Sequence, residues 1–261
     1  MPKPVIPIPL ESRWSTLARA DGQPAAWTEQ HSGVTLVRLD QHLVTLALHA
    51  GATDPGGSGW RYGSAIRGGE LHHLLMAFNG GFKFSVGAGG FLSFGRVGAP
   101  LQAGLGSVVT YRDGTTAIGA WQRGVPQRGR PIASVRQNLS LLIDHGRVAA
   151  TAGSCAERCW GATIGGQLDV ARAALGIRGD GELVWAAAAH TSVSALGAAL
   201  VGVGVRRAVE LDINPDWVAG YVYAHHSSGP PAAVPLVPGQ FGIYGHLLSP
   251  YARDFFSVLT R

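Results

Sequence analysis

Three times the chain runs a short alternating apolar stretch into a tight glycine turn and out into a second such stretch. The units are Val108–Tyr111, turn RDG (112–114), Thr115–Trp121; then Ser140–Ile143, turn DHG (144–146), Arg147–Ala150; then Ala173–Ile177, turn GDG (179–181), Glu182–Ala189. Alternation puts successive side chains on opposite faces of a strand, and Asp–Gly or Gly–Asp pairs supply the positive φ that a hairpin turn requires. Asp113, Asp144 and Asp180 are therefore read as turn formers. The pattern predicts one α+β domain, a mixed or largely antiparallel sheet built from hairpins, with a few helices packed on it.

The remaining elements fit that frame. Residues 1–31 read as a proline-rich linker and N-terminal segment, opening MPKPVIPIPL with a helical turn over 12–20, ahead of a domain spanning 32–261. Residues 32–51 read as a hairpin, with Val34, Leu36 and Leu39 before Asp40–Gln41 and an alternating run over 43–48 after it. The glycine-rich stretch 51–69 is a long loop, either functional or a surface excursion. A helical turn at 71–73 leads into a buried strand over 74–78. Residues 192–203, SVSALGAALVGV, carry apolar groups at helical spacing behind a Ser192 cap. The tail YARDFFSVLTR reads as a terminal strand, with Arg253–Asp254 as a surface ion pair or as groups reaching a site from a neighbouring strand.

Composition excludes several function classes. With 14% charged residues and 38 glycines in 261, the chain is globular and loop-rich. The net charge of +5 rests almost wholly on arginine, but the arginines are scattered and lack an aromatic–basic platform, so no nucleic-acid partner is expected. No apolar run approaches the roughly 20 residues that span a bilayer. Cys155 and Cys159 have no second Cys or His pair beside them, which makes a poor zinc site and a better local disulfide. A disulfide implies an oxidising compartment, hence an extracellular or cell-envelope location with any export or anchoring segment outside this sequence. Neither a metal nor a cofactor is expected.

One stretch concentrates polar chemistry: RRAVELDINPDWVAGYVY (206–223). Val209, Leu211 and Ile213 alternate with Glu210, Asp212 and Asn214, so the acids share one strand face, roughly 6–7 Å apart. Pro215 ends the strand and leaves Asp216 just past its tip. The alternatives are an edge strand with a wet outer face, a catalytic pair, or oxygen ligands for a calcium-like ion, although no EF-hand-like loop accompanies them. Elsewhere, Asn79 ends a buried strand and is followed by Gly80–Gly81, either an ordinary turn or a place where backbone approaches a ligand. Arg172 sits among small residues, placed to hold a phosphate or carboxylate or to cap a loop. His72 and His73 read as packing or surface residues.

Taken together these pieces resemble the phosphodiester glycosidase family, from about Val34 to the C-terminus. AFNGGFK (77–83) is similar to its strand-end Asn-x-Gly-Phe motif, LSLLIDHGRV (139–148) to its middle hairpin and ARAALGIRGDGELVW (171–185) to its Arg-x-Ala-x-Gly hairpin. AVELD (208–212) is similar to the segment that ends in Leu-Asp. After that point the family continues with a glycine triplet and two small hydroxyl residues, where this chain has Ile213–Asn214–Pro215–Asp216–Trp217.

The resemblance implies cleavage at the anomeric carbon of a sugar, in a glycan or glycan-phosphate of the cell envelope. It places Asp212 as principal carboxylate with Glu210 or Asp216 as partner, and Arg172 on the anionic leaving group. Asn79, with Gly80 and Gly81, would contact a sugar hydroxyl or the phosphate. Lys83, His190 and Asn214 are further substrate-binding candidates, and Trp217 is either a core residue or an apolar platform for a sugar ring. The alternatives are a glycosidase for a non-phosphorylated polysaccharide, or a glycan-binding module without catalysis.

Overall fold

The computed structural model describes residues 14–261, so the opening MPKPVIPIPL lies outside the described residues. Among the described residues the fold is α+β, with three open antiparallel sheets and four short α-helices. The largest sheet has eight strands, in the order β1 (Ser15–Ala20), β2 (Gln23–His31), β3 (Val34–Leu39), β14 (Leu183–Thr191), β13 (Val170–Arg178), β15 (Val205–Glu210), β11 (Leu141–Asp144) and β12 (Arg147–Val148). A five-stranded sheet runs β7 (Arg96–Ala99), β6 (Phe91–Ser93), β10 (Ile132–Gln137), β8 (Gly106–Tyr111), β9 (Thr116–Ala120). A second five-stranded sheet runs β17 (Ala232–Pro235), β16 (Gly220–Ala224), β5 (Leu74–Asn79), β18 (Phe255–Thr260), β4 (Val44–His49).

The three glycine-turn hairpins form as the sequence predicts: β8 with β9, β11 with β12, and β13 with β14. The helical turn α1 (Glu70–His73) and β5 after it also follow the expectation. A disulfide joins Cys155, which lies between the short helices α2 (Thr151–Ser154) and α3 (Ala156–Trp160), to Cys159 within α3. Helix α4 (Val193–Gly202) starts where the Ser192 hydroxyl accepts a hydrogen bond from the Ala195 backbone N–H at 3.2 Å.

The large sheet is covered on both faces. Val37, Leu175, Trp185 and Val209 face a core shared with Phe78, Phe91, Val108 and Phe256 from the two smaller sheets. Leu36, Ala174, Val184 and Ala208 face Trp160 and the α4 residues Leu196, Ala199 and Leu200. This double burial overturns the reading of an acidic strand with one wet face. β15 lies between β13 and β11, so Glu210 is under the helical layer and not at an edge.

Three further expectations are corrected. Residues 15–20 form a strand, not a helical turn, and the segment grouped with the linker contributes both β1 and β2 to the sheet. Two-residue turns with φ of 46° and 79° at Asp21–Gly22, and 51° and 81° at Ser32–Gly33, drive this meander. β3 and β4 are strands as expected but do not pair with each other. The turn at Asp40, where the Leu43 and Val44 N–H groups both bond its carbonyl oxygen at 3.0 Å, carries the chain from one sheet to another. Finally, Arg253 and Asp254 are not a surface ion pair: both are buried and pair with Asp212 and Arg136, the other arrangement that their position in the tail allows.

Candidate active site

Three segments that are distant in sequence are joined by backbone hydrogen bonds where β5 and β15 end. Asp212 N–H donates to the Gly80 carbonyl oxygen at 3.2 Å, and Gly80 N–H donates to the Asp254 carbonyl oxygen at 3.0 Å. The glycines are required by close approach. A Cβ on Gly80 would lie 2.1 Å from Asp254 Oδ2, and one on Gly81 would lie 2.9 Å from both Arg136 Cζ and Asn138 Oδ1. The Asn79–Gly80–Gly81 stretch is thus the hub of a buried polar cluster. Asn79 itself is buried, donates through its amide nitrogen to the Gly80 carbonyl oxygen at 2.9 Å, and leaves Oδ1 without a partner among the described residues.

The two acids of the Glu210–Asp212 pair go to different cations. Glu210 pairs with Ala174 across the ladder, which sets it beside Arg172 on the same sheet face. Arg172 Nη1 donates to Glu210 Oε1 at 2.8 Å, and its remaining donors go to the carbonyl oxygens of Thr191, Trp160 and Leu168. Both side chains are closed to solvent, at 1% and 0% exposure. Burial pushes the Glu210 carboxyl up to about 8, against the opposing pull of Arg172. This pair ties the disulfide-bearing turn, through Trp160, to the sheet. The guanidinium expected to receive a substrate anion is already committed.

Asp212 follows β15 by two residues and its carboxylate is bonded on both oxygens. Oδ1 accepts from the backbone N–H groups of Ile213 at 2.7 Å and Asn214 at 3.0 Å, and Oδ2 accepts from Arg253 Nη2 at 3.0 Å. Burial raises its pKa, while Arg253 and the two N–H groups oppose that rise.

Arg136 and Asn138 complete the cluster, and the sequence reading does not single them out. Arg136 Nε and Nη2 bond the two Asp254 oxygens at 2.7 and 3.0 Å, and Nη2 also donates to the Phe82 carbonyl oxygen at 2.5 Å. Asn138 Nδ2 donates to the carbonyl oxygens of Glu210 and Leu211 at 2.5 and 3.1 Å, and Oδ1 accepts from Phe82 N–H at 3.0 Å. Their signal is faint: an arginine in the strand stretch IASVR, followed by two amides.

Beside this cluster lies a cavity of about 470 Å³, of the size that holds small ligands. Ile213, Asn214, Pro215 and Asp216 form one wall, with His190 and Asp169 among the other polar groups. The structure therefore brings Asn214, Asp216 and His190 together at the cavity, while Asp212 lies behind the Ile213–Asn214 backbone that it fixes. Asn214 Oδ1 in turn accepts from Asp216 N–H at 2.9 Å, which shapes the turn at the cavity wall. Lys83 is exposed and is not part of this wall. Trp217 is half-buried against Tyr251, with ring centroids 5.9 Å apart, and Arg253 lies 5.6 Å from its ring centre. It is a packing residue of the cluster. Among the described residues no group of three His, Cys, Asp or Glu side chains is arranged to hold a metal ion.

The fold is similar to that of the zebrafish N-acetylglucosamine-1-phosphodiester alpha-N-acetylglucosaminidase catalytic domain, solved in a form auto-inhibited by its pro-peptide. The TM-score is 0.55 at 12% identity, over 95% of this chain and 87% of that one. A hypothetical protein from Synechocystis is also similar, with a TM-score of 0.48 at 12% identity over 90% of this chain and 62% of that one. No protein-family model matches the sequence. No curated protein matches it either. At this identity the likeness is one of fold. No helix among the described residues is long and apolar enough to cross a membrane, which says nothing about spanning by strands.

Proposed function

We propose that this chain is a hydrolase that cleaves the bond at the anomeric carbon of a sugar, in a cell-envelope glycan or a sugar-1-phosphodiester. One observation carries the reading. In a fold similar along 95% of this chain to that of a glycosidase domain, the residues that follow Asp212, a carboxylate whose pKa burial raises, form the wall of a sugar-sized cavity. The disulfide fits an extracellular or envelope location.

The roles follow from the chemistry of glycoside hydrolysis. Cleavage passes through an oxocarbenium-like state that a nearby carboxylate stabilises, and a second group activates water or protonates the leaving oxygen. Asp212 is the principal carboxylate, held in orientation by Arg253 and two backbone N–H groups. Asp216 is its partner from the cavity wall, and Asn214 and His190 contact substrate hydroxyls. Arg172 and Glu210 support the site from beneath the sheet, because each satisfies the other. The Asn79–Gly80–Gly81 turn sets the distance between the Asp212 loop and Arg253.

A second reading is favoured by the bonding of Asp212, both of whose oxygens are already occupied: a glycan-binding module without turnover. One experiment separates them. The protein is incubated with a panel of sugar-1-phosphodiesters and envelope polysaccharides and the products are read by mass spectrometry. A released reducing sugar supports the hydrolase. Tight binding with no product over long incubation supports the binding module.

A further inference from the structure

We infer that the cavity beside Asp212 takes an uncharged oligosaccharide, one of whose rings stacks on Phe241. The inference rests on the reading of the site as a glycan site and specifies its ligand. Its first support is the placement of Phe241. This side chain is 78% exposed, the largest exposure among the described large hydrophobic residues, and it belongs to the cavity lining. Phe241 is the only phenylalanine, tyrosine or tryptophan of that lining. An aromatic face left open at the mouth of the cavity is what the apolar C–H face of a pyranose covers.

The segment that carries it is built to hold it there. Gly239 and Gly242 bracket it with φ of 77° and 85°, so the chain turns sharply on both sides of the ring. Between them Gln240 anchors the loop, its Oε1 accepting from the backbone N–H groups of Gly220 at 3.3 Å and Val237 at 3.1 Å. A platform fixed before binding loses little freedom when a sugar arrives.

The charge of the lining selects against anions. Asp169 and Asp216 are the charged residues in it, neither has an ion-pair partner among the described residues, and no lysine or arginine lines the cavity. His190 is the one basic residue of the lining. The chain as a whole carries +5, so this acidic hollow runs against the surrounding charge. A phosphate or uronate placed in it would meet two carboxylates and no permanent cation, whereas sugar hydroxyls donate readily to carboxylate oxygens.

The test reads binding and turnover separately. The full chain and its Phe241→Ala and Phe241→Trp variants are applied to an array of neutral, phosphorylated and uronic-acid glycans, and affinities for the retained glycans are then measured by calorimetry. Retention of neutral glycans, weakened about tenfold by Phe241→Ala and restored by Phe241→Trp, is the expected result. Retention confined to anionic glycans, unchanged affinity in Phe241→Ala, or no retained glycan would overturn the inference. The same glycans are assayed for cleavage. Neutral-glycan binding that depends on Phe241 without product removes the hydrolase reading and leaves this inference standing. Cleavage of an anionic substrate that is indifferent to Phe241 does the reverse.

Discussion

Arg253 Nη2 lies 3.0 Å from Asp212 Oδ2 and 2.8 Å from the Gly81 carbonyl oxygen, so one guanidinium nitrogen joins the acid loop to the double-glycine turn. Arg253 precedes β18, and its Nε stands 3.2 Å from Asp54 of the long glycine-rich loop. Position and charge at Asp212 are thus set by four segments of the chain together, and perturbing any one of them reaches the carboxylate.

Removing Arg172 tests the buried pair. Arg172→Ala leaves Glu210 without a cation in a site closed to water, with an expected loss of about 3–5 kcal/mol of stability. Replacing both residues by apolar ones of similar volume restores most of that loss, because the desolvation of both charges disappears together. Urea unfolding of the two variants, read as the shift in midpoint, checks both statements.

Gly80 has no room for a methyl group. Gly80→Ala drives its Cβ into the Asp254 carboxylate and backbone, with an expected destabilisation of about 1–3 kcal/mol. Gly69→Ala is the control, since no atom lies within 4 Å of the added Cβ and stability should change by less than about 1 kcal/mol. Thermal unfolding of the pair distinguishes close approach from a general effect of losing glycine.

His49 makes stability depend on pH. Its Nδ1–H donates to the Gly63 carbonyl oxygen and its Nε2 accepts from Ser257 Oγ, both at 2.9 Å, and burial lowers its pKa from the ordinary 6.5 to about 4. The unfolded chain therefore binds a proton below pH 6.5 that the folded chain refuses until about pH 4. Stability is full above pH 6.5 and falls as the pH drops through this window, by about 3 kcal/mol in all. Glu70 Oε1, 3.4 Å from Nε2, is the one carboxylate placed to soften the loss. His49→Gln should flatten the slope of unfolding free energy between pH 6.5 and 4. An unchanged slope would assign the acid sensitivity to other groups.

Local signals in the sequence carried the hairpins well. Each glycine turn fixes its own two strands through φ, and short-range geometry of that kind is fully written in three or four residues. Which sheet a strand joins is not. Val34–Leu39 and Val44–His49 alternate as paired strands would, yet the turn at Asp40 sends them to separate sheets, a decision made by β18 and β14 far along the chain. The N-terminal meander is written in Asp21–Gly22 and Ser32–Gly33, hairpin signals of the same kind that the proline-rich composition of the preceding residues masks.

The site divides in the same way. Asn79, Gly80, Gly81 and Asp212 were legible as oddities of strand ends, and they do meet. That Arg172 would be spent on Glu210, and that Arg253 would take its expected place beside an acid, follows from cross-strand register and from burial on both faces. Neither is visible in a run of residues. Arg136 and Asn138 carry no motif at all, and only the packing of β10 against the double-glycine turn gives them a role.

The central claim is that Asp212 drives cleavage at an anomeric carbon. The most direct measurement is kcat for the wild-type chain and for Asp212→Asn on a substrate drawn from the panel of phosphodiesters and envelope glycans, with circular dichroism confirming that the variant is folded. The account predicts a loss of at least about 100-fold in kcat with the folded spectrum retained. Turnover at the wild-type rate in folded Asp212→Asn, or no product from the wild-type chain on any member of the panel, would contradict it.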